Sequence, residues 1–253
     1  LDGVDAAVMV HPAGADLLTM DTLAIQRVLA TYHGRAAHAS AAPERGRNAL
    51  DAAVLGYVNV AALRQHIGRD ERVHGIFLEA GEAANIVPAR AQAQWYVRSR
   101  DRAGLRALAE RVASCLRAGA DAAGCDVELE WQEPAYDELL DLPAFDAVYA
   151  ANAARQGRTV RAPGHDGAAP VVGSTDMGNV SQVVPSIHPM IAVSPPDVAI
   201  HTEAFVGYAR GPGGDAAVLD GAKALALTVV DLWHDADLLA GLRADHAGRR
   251  SGA

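Results

Sequence analysis

Residues 72–99, RVHGIFLEAGEAANIVPARAQAQWYVRS, decide the fold, because they hold two strand-like runs with no helix between them. The runs at 72–80 and 91–99 are rich in β-branched and aromatic residues, which is typical of strands. Gly81 and Pro88 lie in the segment between the runs and indicate an irregular connection. The residues on either side of this pair determine the kind of sheet to which it belongs.

One helix and one strand are predicted on each side of the pair. Before it, residues 21–35 predict a strand that ends near Gly34, and residues 48–67 predict a helix that begins at an Asn48 N-cap. This helix places several apolar residues at helical spacing: Leu50, Val54, Tyr57, Val58 and Ala61. After the pair, a helix is predicted from Asp101 to about Ala122, followed by a strand at 126–133. The second helix carries one apolar face: Leu105, Leu108, Val112 and Leu116.

The order strand, helix, strand, strand, helix, strand is the ferredoxin-like pattern, in which two helices cover one face of a four-stranded antiparallel sheet. We therefore predict a compact module at residues 22–133. The flanking segments, 1–21 and 134–253, are predicted to form one host domain into which the module is inserted, because insertions are tolerated where the two ends lie close together. The later flank predicts helices at 142–157 and 214–242 and a short strand at 188–194.

Composition narrows the classes of partner. The chain has 253 residues, half of them hydrophobic, and a formal net charge of -9. An acidic chain attracts neither nucleic-acid phosphate nor anionic lipid, so neither partner is expected. Cys115 and Cys125 are too few for a disulfide framework, and no apolar run reaches the roughly 18 residues of a membrane span. A cytoplasmic protein that binds small molecules or proteins is the expectation.

Histidines provide the first candidates for chemistry. His11 and His201 each follow an apolar stretch, a position where ligands and metals collect in α/β sheets. Two imidazoles do not make a closed site, since zinc takes about four ligands, so a structural role for either stays open. His165 and His188 lie in predicted loops and are weaker candidates. The segment GSTDMG at 173–178 is compatible with a turn that caps a helix, and GPGG at 211–214 with a flexible connection.

Four motifs in a fixed order carry a family resemblance: YHGRAAHASAAPERGRNALDA, RVHGIFLEAGEAANIVP, AQAQWYVRS and VVGSTDMGNVSQVVPSIHP. With them the chain resembles the aminoacylase and carboxypeptidase G family of two-metal amidohydrolases, most closely the branch of aminobenzoyl-glutamate hydrolase and the Xaa-Arg dipeptidases. The resemblance implies a mixed α/β (α+β) protein, with a ferredoxin-like lid and dimerisation domain inserted into a partial zinc-peptidase catalytic domain. It also implies a homodimer that forms through the lid.

The resemblance assigns roles to six residues. His11 and His201 match metal ligands, and imidazole suits zinc, manganese or cobalt. His38 matches the lid histidine that reaches the active site of the other subunit, where it stabilises negative charge on the scissile carbonyl oxygen. The remaining three match substrate-binding positions: Asn85, Arg98 and Ser174. Arg98 is suited to a carboxylate, because its planar guanidinium can bond to both oxygens.

One part of the family pattern has no counterpart in the sequence. The family's bridging acid, further metal ligands and glutamate base lie upstream of the position that matches Leu1, and Glu79 and Glu82 of the lid cannot replace them. We therefore expect an N-terminally truncated form of an amidohydrolase or dipeptidase for N-acyl amino acids or dipeptides. This form is expected to bind the divalent metal weakly and to be inactive alone. The alternative is a non-catalytic dimerisation module that retains only the lid.

Overall fold

The computed structural model describes residues 1–164 and 172–251, so His165 lies outside the described part. The chain divides into two compact units, an inserted unit at 23–138 and a split unit formed by 1–22 and 139–253. The predicted module at 22–133 ends five residues earlier than the inserted unit. The difference arises because the last strand of this unit continues to Tyr136, which pairs with Ile25.

The inserted unit has the predicted order of elements. Its members are β4 (Ala24–His33), α1 (Ala49–Leu63), β5 (Arg72–Glu79), β6 (Arg90–Ser99), α2 (Arg102–Ala123) and β7 (Asp126–Tyr136). Short 3-10 helices lie at Pro43–Arg45 and Arg64–His66. The four strands form one antiparallel sheet in the order β5-β6-β4-β7. This is the ferredoxin-like arrangement that the sequence predicts.

Local signals fix the ends of the two helices. The Asn48 side chain accepts hydrogen bonds from the backbone N–H groups of Leu50 and Asp51, which confirms it as the N-cap of α1. Asp101 caps α2 in the same way, and Gly124 ends α2 in the left-handed conformation. The apolar face predicted for α2 is buried against the sheet, where it packs around Trp95, Val28 and Tyr32.

Helix α1 does not fully bury the large residues that its sequence places at helical spacing, although Tyr57 packs against the edge of the core. Val54 and Val58 are exposed, and the buried face consists of small residues and one valine: Ala49, Ala52, Ala53, Gly56 and Val60. The reason is the close approach of α1 to α2. A Cβ atom on Gly119 of α2 would lie 2.4 Å from the backbone nitrogen of Gly56. Only small residues fit between the two helices.

The split unit contains short strands and longer helices. Its strands are β1 (Ala7–Val8), β2 (His11–Ala13), β3 (Asp21–Thr22), β8 (Val172–Gly173), β9 (Ser186–Ile187) and β10 (Met190–Ala192). They form three parallel pairs: β1 with β9, β2 with β10, and β3 with β8. Its helices are α3 (Pro143–Ala154), α4 (Met177–Ser181), α5 (Glu203–Ala209), α6 (Pro212–His234) and α7 (Ala236–Ser251). A small core joins α3 and α6 around Phe145, Tyr149 and Ile187.

Two expectations for the C-terminal part are wrong in detail. The helix predicted at 214–242 is two helices, because Asp235 adopts an extended conformation between α6 and α7. GPGG is the beginning of α6 and not a flexible connection, with Pro212 in the first turn, where its missing N–H needs no partner. Gly214 is required there, since a Cβ atom would lie 2.1 Å from the carbonyl oxygen of Ala209. Among the described residues, no helix is long and apolar enough to cross a membrane.

Candidate active-site residues

His38 and Asn85 lie together at one end of the inserted unit. One loop segment follows the end of β4, and another precedes the start of β6. Backbone hydrogen bonds join these two loop segments. Gly34 donates to Ala89 (2.7 Å), Val87 to Ala37 (2.9 Å) and Ala39 to Asn85 (3.0 Å). His38 forms an isolated bridge with Ile86, which follows Asn85. These backbone hydrogen bonds bring the two segments together, and the sequence alone does not predict this contact.

Hydrogen bonds select the tautomer of the neutral His38 imidazole. Its Nδ1 atom lies 3.3 Å from the backbone nitrogen of Ser40 and 3.2 Å from that of Ala41. Backbone N–H groups only donate, so Nδ1 accepts and the ring proton lies on Nε2. The ring is exposed. His38 therefore presents an N–H donor to its surroundings, as an oxyanion-stabilising group must.

Arg98 lies at the other end of the same unit. It pairs with Ile25, close to Leu23 and Glu138, where the chain enters and leaves the inserted unit. Its side chain is half-buried on the sheet face that carries no helix. Partial burial lowers the pKa of the Arg98 guanidinium, the Tyr96 hydroxyl opposes this change, and the positive charge of Arg27 adds to it.

Arg98 is remote from His38 and Asn85 within one copy of the chain. Strand β6 runs from Arg90 to Ser99, and the Asn85 segment extends beyond its first residue. At about 3.3 Å per residue, the eight steps from Arg90 to Arg98 alone span about 26 Å. An extended dipeptide spans only about 7 Å. One inserted unit therefore cannot place Arg98 and His38 on the same small substrate.

His11 is the candidate metal ligand at the start of the split unit. The sequence places it in a loop after a strand, whereas the structure places it within β2, which pairs with β10 through Pro12 to Ala13. The pairing continues past Pro12, which has no N–H group. In a parallel pair only alternate residues of a strand bond to a given neighbouring strand, so no hydrogen bond of the pair is lost at Pro12. The Nδ1 atom donates to the carbonyl oxygen of Pro12 (2.8 Å), which leaves Nε2 with its lone pair.

His188 lies beside His11. The ring centroids are 5.7 Å apart, and His188 is fully buried. Burial lowers the pKa of His188 to about 4, and the neighbouring His11 adds to this effect. The Oγ1 atom of Thr175 lies 3.4 Å from its Nε2 atom, and Nδ1 has no hydrogen-bond partner among the described residues. The sequence does contain a signal for this neighbour, because His-Pro follows an apolar strand at both 11–12 and 188–189.

Ser174 and His201 belong to the split unit as well. Ser174 is half-buried after β8 and precedes Thr175, whose hydroxyl accepts from the backbone N–H of Met177 at the start of α4. The GSTDMG segment leads directly into α4, but the N-cap is Asp176, which makes no side-chain capping bond, and neither Ser174 nor Thr175 holds that position. His201 is exposed and has a positive φ of 65°, an uncommon conformation for a residue other than glycine. It directly precedes Thr202, the N-cap of α5.

The candidate metal-ligating side chains fit part of a metal site. The Nε2 atom of His11 has the tautomer that a metal ligand needs. Within residues 1–164 and 172–251, however, no group of three or more His, Cys, Asp or Glu side chains is arranged to hold a metal ion. Zinc sites take about four ligands, so the described residues provide an incomplete ligand set.

Comparison with known proteins identifies a domain match and relatives of the chain. Residues 25–123 match the peptidase dimerisation domain of the M20 group. The chain is 35% identical to the mouse Xaa-Arg dipeptidase over 242 residues, which cover 96% of this chain and 56% of the relative. It is 32% identical to one of the subunits of the Escherichia coli p-aminobenzoyl-glutamate hydrolase over 152 residues, 59% of this chain and 32% of the relative.

Solved structures have the same fold. The aminobenzoyl-glutamate utilization protein of Klebsiella pneumoniae superposes with a TM-score of 0.62 at 22% identity, covering 87% of this chain and 53% of that one. A dinuclear metal-binding peptidase of Bacillus subtilis superposes with a TM-score of 0.61 at 16% identity, covering 92% and 58%. The chain therefore carries an M20-type peptidase dimerisation domain and is homologous to Xaa-Arg dipeptidase and aminobenzoyl-glutamate hydrolase, and the predicted mixed α/β fold class is confirmed. It spans about half the length of the curated relatives that it matches most extensively.

Proposed function

We propose that the chain carries the lid and part of the catalytic domain of a metal-dependent amidohydrolase. The substrate is an N-acyl amino acid or a dipeptide, whose amide bond is hydrolysed. The relation to Xaa-Arg dipeptidase over 96% of the chain supports the reaction class. The dimerisation domain at 25–123 supports a homodimer as the working form. Two free thiols, Cys115 and Cys125, accord with a reducing compartment such as the cytoplasm.

The observation that carries the proposal is the separation of His38 from Arg98 along one sheet. If both residues contact one substrate, they come from two copies of the chain. Arg98 then binds the substrate carboxylate in one subunit, and His38 and Asn85 of the other subunit reach the scissile amide. The two exposed loop segments that carry His38 and Asn85 lie at the end of the inserted unit farthest from its connections to the split unit, which suits groups that act on a neighbour.

Each residue has a role that its chemistry supports. The Nε2–H group of His38 donates a hydrogen bond to the carbonyl oxygen as negative charge develops, and the Asn85 amide orients the same part of the substrate. Ser174 contacts the acyl side. His11 and His201 provide two of the metal ligands, with zinc, manganese or cobalt as the suitable ions. When bound, such an ion supplies Lewis-acid chemistry and a more acidic water molecule.

A surface of the inserted unit supports dimerisation. Strand β5 is at the edge of the sheet, since β6 is its only partner among the described strands. Ile76 and Leu78 on this strand are 61% and 50% exposed, and Val58 on the adjacent helix α1 is 55% exposed. Unpaired strand edges and exposed apolar patches mark protein interaction sites. A second copy that pairs along β5 covers these side chains.

We also propose that the 253-residue chain alone binds metal weakly and does not hydrolyse substrate, because the described residues gather no group of three or more metal-ligating side chains. A non-catalytic dimerisation module is the second candidate, and the complete four-stranded sheet of the inserted unit favours it. The two functions differ in one testable respect. Only the amidohydrolase function requires that His11, His38 and His201 support catalysis when the chain is joined to the remaining sequence of a relative.

A chimera tests the reaction. This chain replaces the matched 242-residue segment of the mouse Xaa-Arg dipeptidase, and the product is assayed with dipeptides and N-acyl amino acids. We expect hydrolysis, and we expect His38→Ala to lower kcat by at least about a hundredfold without changing the metal content. His11→Ala and His201→Ala are expected to lower the metal content itself, measured by mass spectrometry.

The matched controls are exposed imidazoles in the same units. His66→Ala in the inserted unit and His234→Ala in the split unit are expected to leave kcat and metal content within about twofold, as is usual for surface substitutions. A folded, dimeric chimera that does not hydrolyse any of these substrates would support the dimerisation module instead.

A further inference from the structure

Two histidines of the split unit, His11 and His188, lie on one face of neighbouring parallel strands. Met9 donates to the carbonyl oxygen of Ile187 (3.3 Å), and His11 donates to that of Pro189 (2.9 Å). These two bonds continue the parallel register from the β1–β9 pair to the β2–β10 pair, with no residue inserted in either strand. His188 therefore lies opposite Met9. Because alternate residues of a strand share a face, His188 and His11 are diagonal neighbours on the same face.

The two rings are spaced as two ligands of one ion are. Their centroids are 5.7 Å apart, and their planes differ by 30°. With an ion about 2.1 Å from each ring nitrogen, tetrahedral coordination places two imidazole centroids about 5 Å apart, and linear coordination places them about 6.5 Å apart. The observed separation lies between these two limits.

Hydrogen bonds leave one nitrogen of each ring available. The Nδ1 atom of His11 donates to the carbonyl oxygen of Pro12 (2.8 Å), so Nε2 keeps a lone pair. The Nε2 atom of His188 lies 3.4 Å from Oγ1 of Thr175, which also accepts from the backbone N–H of Met177. A hydroxyl oxygen accepts two hydrogen bonds, so Nε2 of His188 can donate to it, and Nδ1 then keeps its lone pair. Metal-ligating histidines commonly have their other ring N–H held in this way.

The Nδ1 atom of His188 is the unusual feature of this pair. His188 is fully buried, and among residues 1–164 and 172–251 its Nδ1 atom has no hydrogen-bond partner. Buried polar atoms without a partner are rare in native proteins, and a bound ion is one of the causes that explain them. His11 is only partly buried, which leaves one side of the pair accessible to an ion.

We propose that His11 and His188 are two ligands of one metal ion, bound through Nε2 of His11 and Nδ1 of His188, and that Thr175 is a positioning residue for His188. This inference rests on the proposed function for the role of His11. It adds His188, to which the family resemblance assigns no role. Imidazole nitrogen suits zinc and cobalt. Two imidazoles are an incomplete set for zinc, so water molecules or ligands from another segment complete the coordination.

Zinc binding to the unsubstituted chain tests the pair without hydrolysis. The histidines are labelled with nitrogen-15, and their imidazole nitrogens are followed by NMR spectroscopy as Zn²⁺ is added at neutral pH. We expect the signals of Nε2 of His11 and Nδ1 of His188 to shift together, with the same zinc midpoint. A shift of His11 alone would overturn the inference, and so would a shift of Nε2 of His188 in place of Nδ1. This measurement decides the question even where a variant of the buried His188 does not fold.

Variants measured by calorimetry separate metal binding from ring packing. His11→Phe and His188→Phe keep a ring at each position but remove its nitrogens, and each is expected to weaken Zn²⁺ binding by at least about tenfold. The matched controls, His66→Phe and His234→Phe, replace exposed imidazoles and are expected to leave the affinity within about twofold.

A pair of substitutions tests the positioning role of Thr175. Thr175→Val removes the acceptor for Nε2 of His188 and is expected to weaken Zn²⁺ binding by about tenfold. Thr175→Ser keeps a hydroxyl and is expected to remain within about twofold. Equal affinities of the two variants would reject this role.

Two calorimetric results would overturn the metal pair: an affinity that a folded His188→Phe variant leaves unchanged, or an equal loss in the control variants. A chimera that fails to hydrolyse any substrate, while the chain binds zinc through His11 and His188, would reject the proposed reaction and leave the pair intact. An active chimera whose metal content does not depend on His188 would reject the pair alone.

Discussion

The two units solve the problem of burying a core in different ways. The inserted unit closes a four-stranded sheet against two helices, and its core runs from Val28 on β4 through Trp95 on β6 to Leu116 on α2. The described residues of the split unit form three two-stranded parallel pairs, and their core is smaller. Helix α6 of this unit leaves Val218, Leu219 and Trp233 exposed. The inserted unit is thus the self-contained part of the chain, and we expect the stability of the two units to respond differently to substitution.

A pair of tryptophan substitutions gives the largest expected contrast. Trp95 is fully buried in the inserted unit, whereas Trp233 on α6 is 80% exposed. Trp95→Ala is expected to lower the free energy of unfolding of the inserted unit by about 3–5 kcal/mol, because it leaves a large cavity. Trp233→Ala is expected to change that of the split unit by less than about 0.5 kcal/mol. Hydrogen exchange against urea concentration, followed by mass spectrometry, resolves peptides of each unit.

Equal losses from the two tryptophan variants would contradict the difference between the units. So would exchange that rises in both units after Trp95→Ala, since this would show one cooperative core in place of two.

A pair of glycine substitutions tests the contact between α1 and α2. Gly119→Ala places a methyl group against the backbone of Gly56 and Ala52, so we expect a loss of about 2 kcal/mol in the inserted unit. Gly241→Ala on α7 meets no atom within 4 Å and is expected to stabilise its helix by about 0.5–1 kcal/mol. The same hydrogen-exchange experiment measures both changes in the free energy of unfolding, which are expected to have opposite signs. A neutral Gly119→Ala variant would mean that the two helices do not approach so closely.

A smaller expected effect is the pH dependence of the stability of the split unit. The Asp146 carboxyl of the split unit is buried, and burial together with a hydrogen bond and charge repulsion from Asp141 raises its pKa. A raised folded-state pKa gives stability that is present below the unfolded value, near 4, and that is lost as pH rises through the folded value. The split unit is therefore expected to lose up to about 1 kcal/mol per pH unit above pH 5 from this group.

Asp146→Asn is expected to remove this part of the pH dependence, whereas Asp197→Asn, at an exposed position, is expected to leave it unchanged. Urea midpoints of split-unit peptides at pH 5, 6.5 and 8 measure the slope. An unchanged slope in the Asp146→Asn variant would show that this carboxyl is ionised in the folded chain.

The sequence predicts the inserted unit well, since each signal there is local. Alternating strands, the Asn48 cap and the apolar face of α2 each depend on a few neighbouring residues, and the structure has all of them. The orientation of α1 was not predictable in the same way. Its large apolar residues favour burial, and only the contact with Gly119 on a distant helix explains why small residues face the core.

The candidate site was predictable in part. Motifs identify His11, His38, Asn85 and Arg98 one at a time, but the sequence contains no distances. The remoteness of Arg98 from His38 follows only from the strand register. The contact between His11 and His188 likewise depends on the parallel pairing of β1 and β2 with β9 and β10.

Mixed dimers of the chimera test most directly whether His38 serves the neighbouring subunit. A chimera with His38→Ala is mixed with one carrying His11→Ala, and the subunits are allowed to exchange. We predict that activity appears on mixing, at about one quarter of the unsubstituted chimera for random exchange of equal amounts, because half of the dimers are mixed and each of these holds one complete site. If the mixture stays as inactive as its two parents while mass spectrometry shows mixed dimers, His38 acts within its own subunit and the account is wrong.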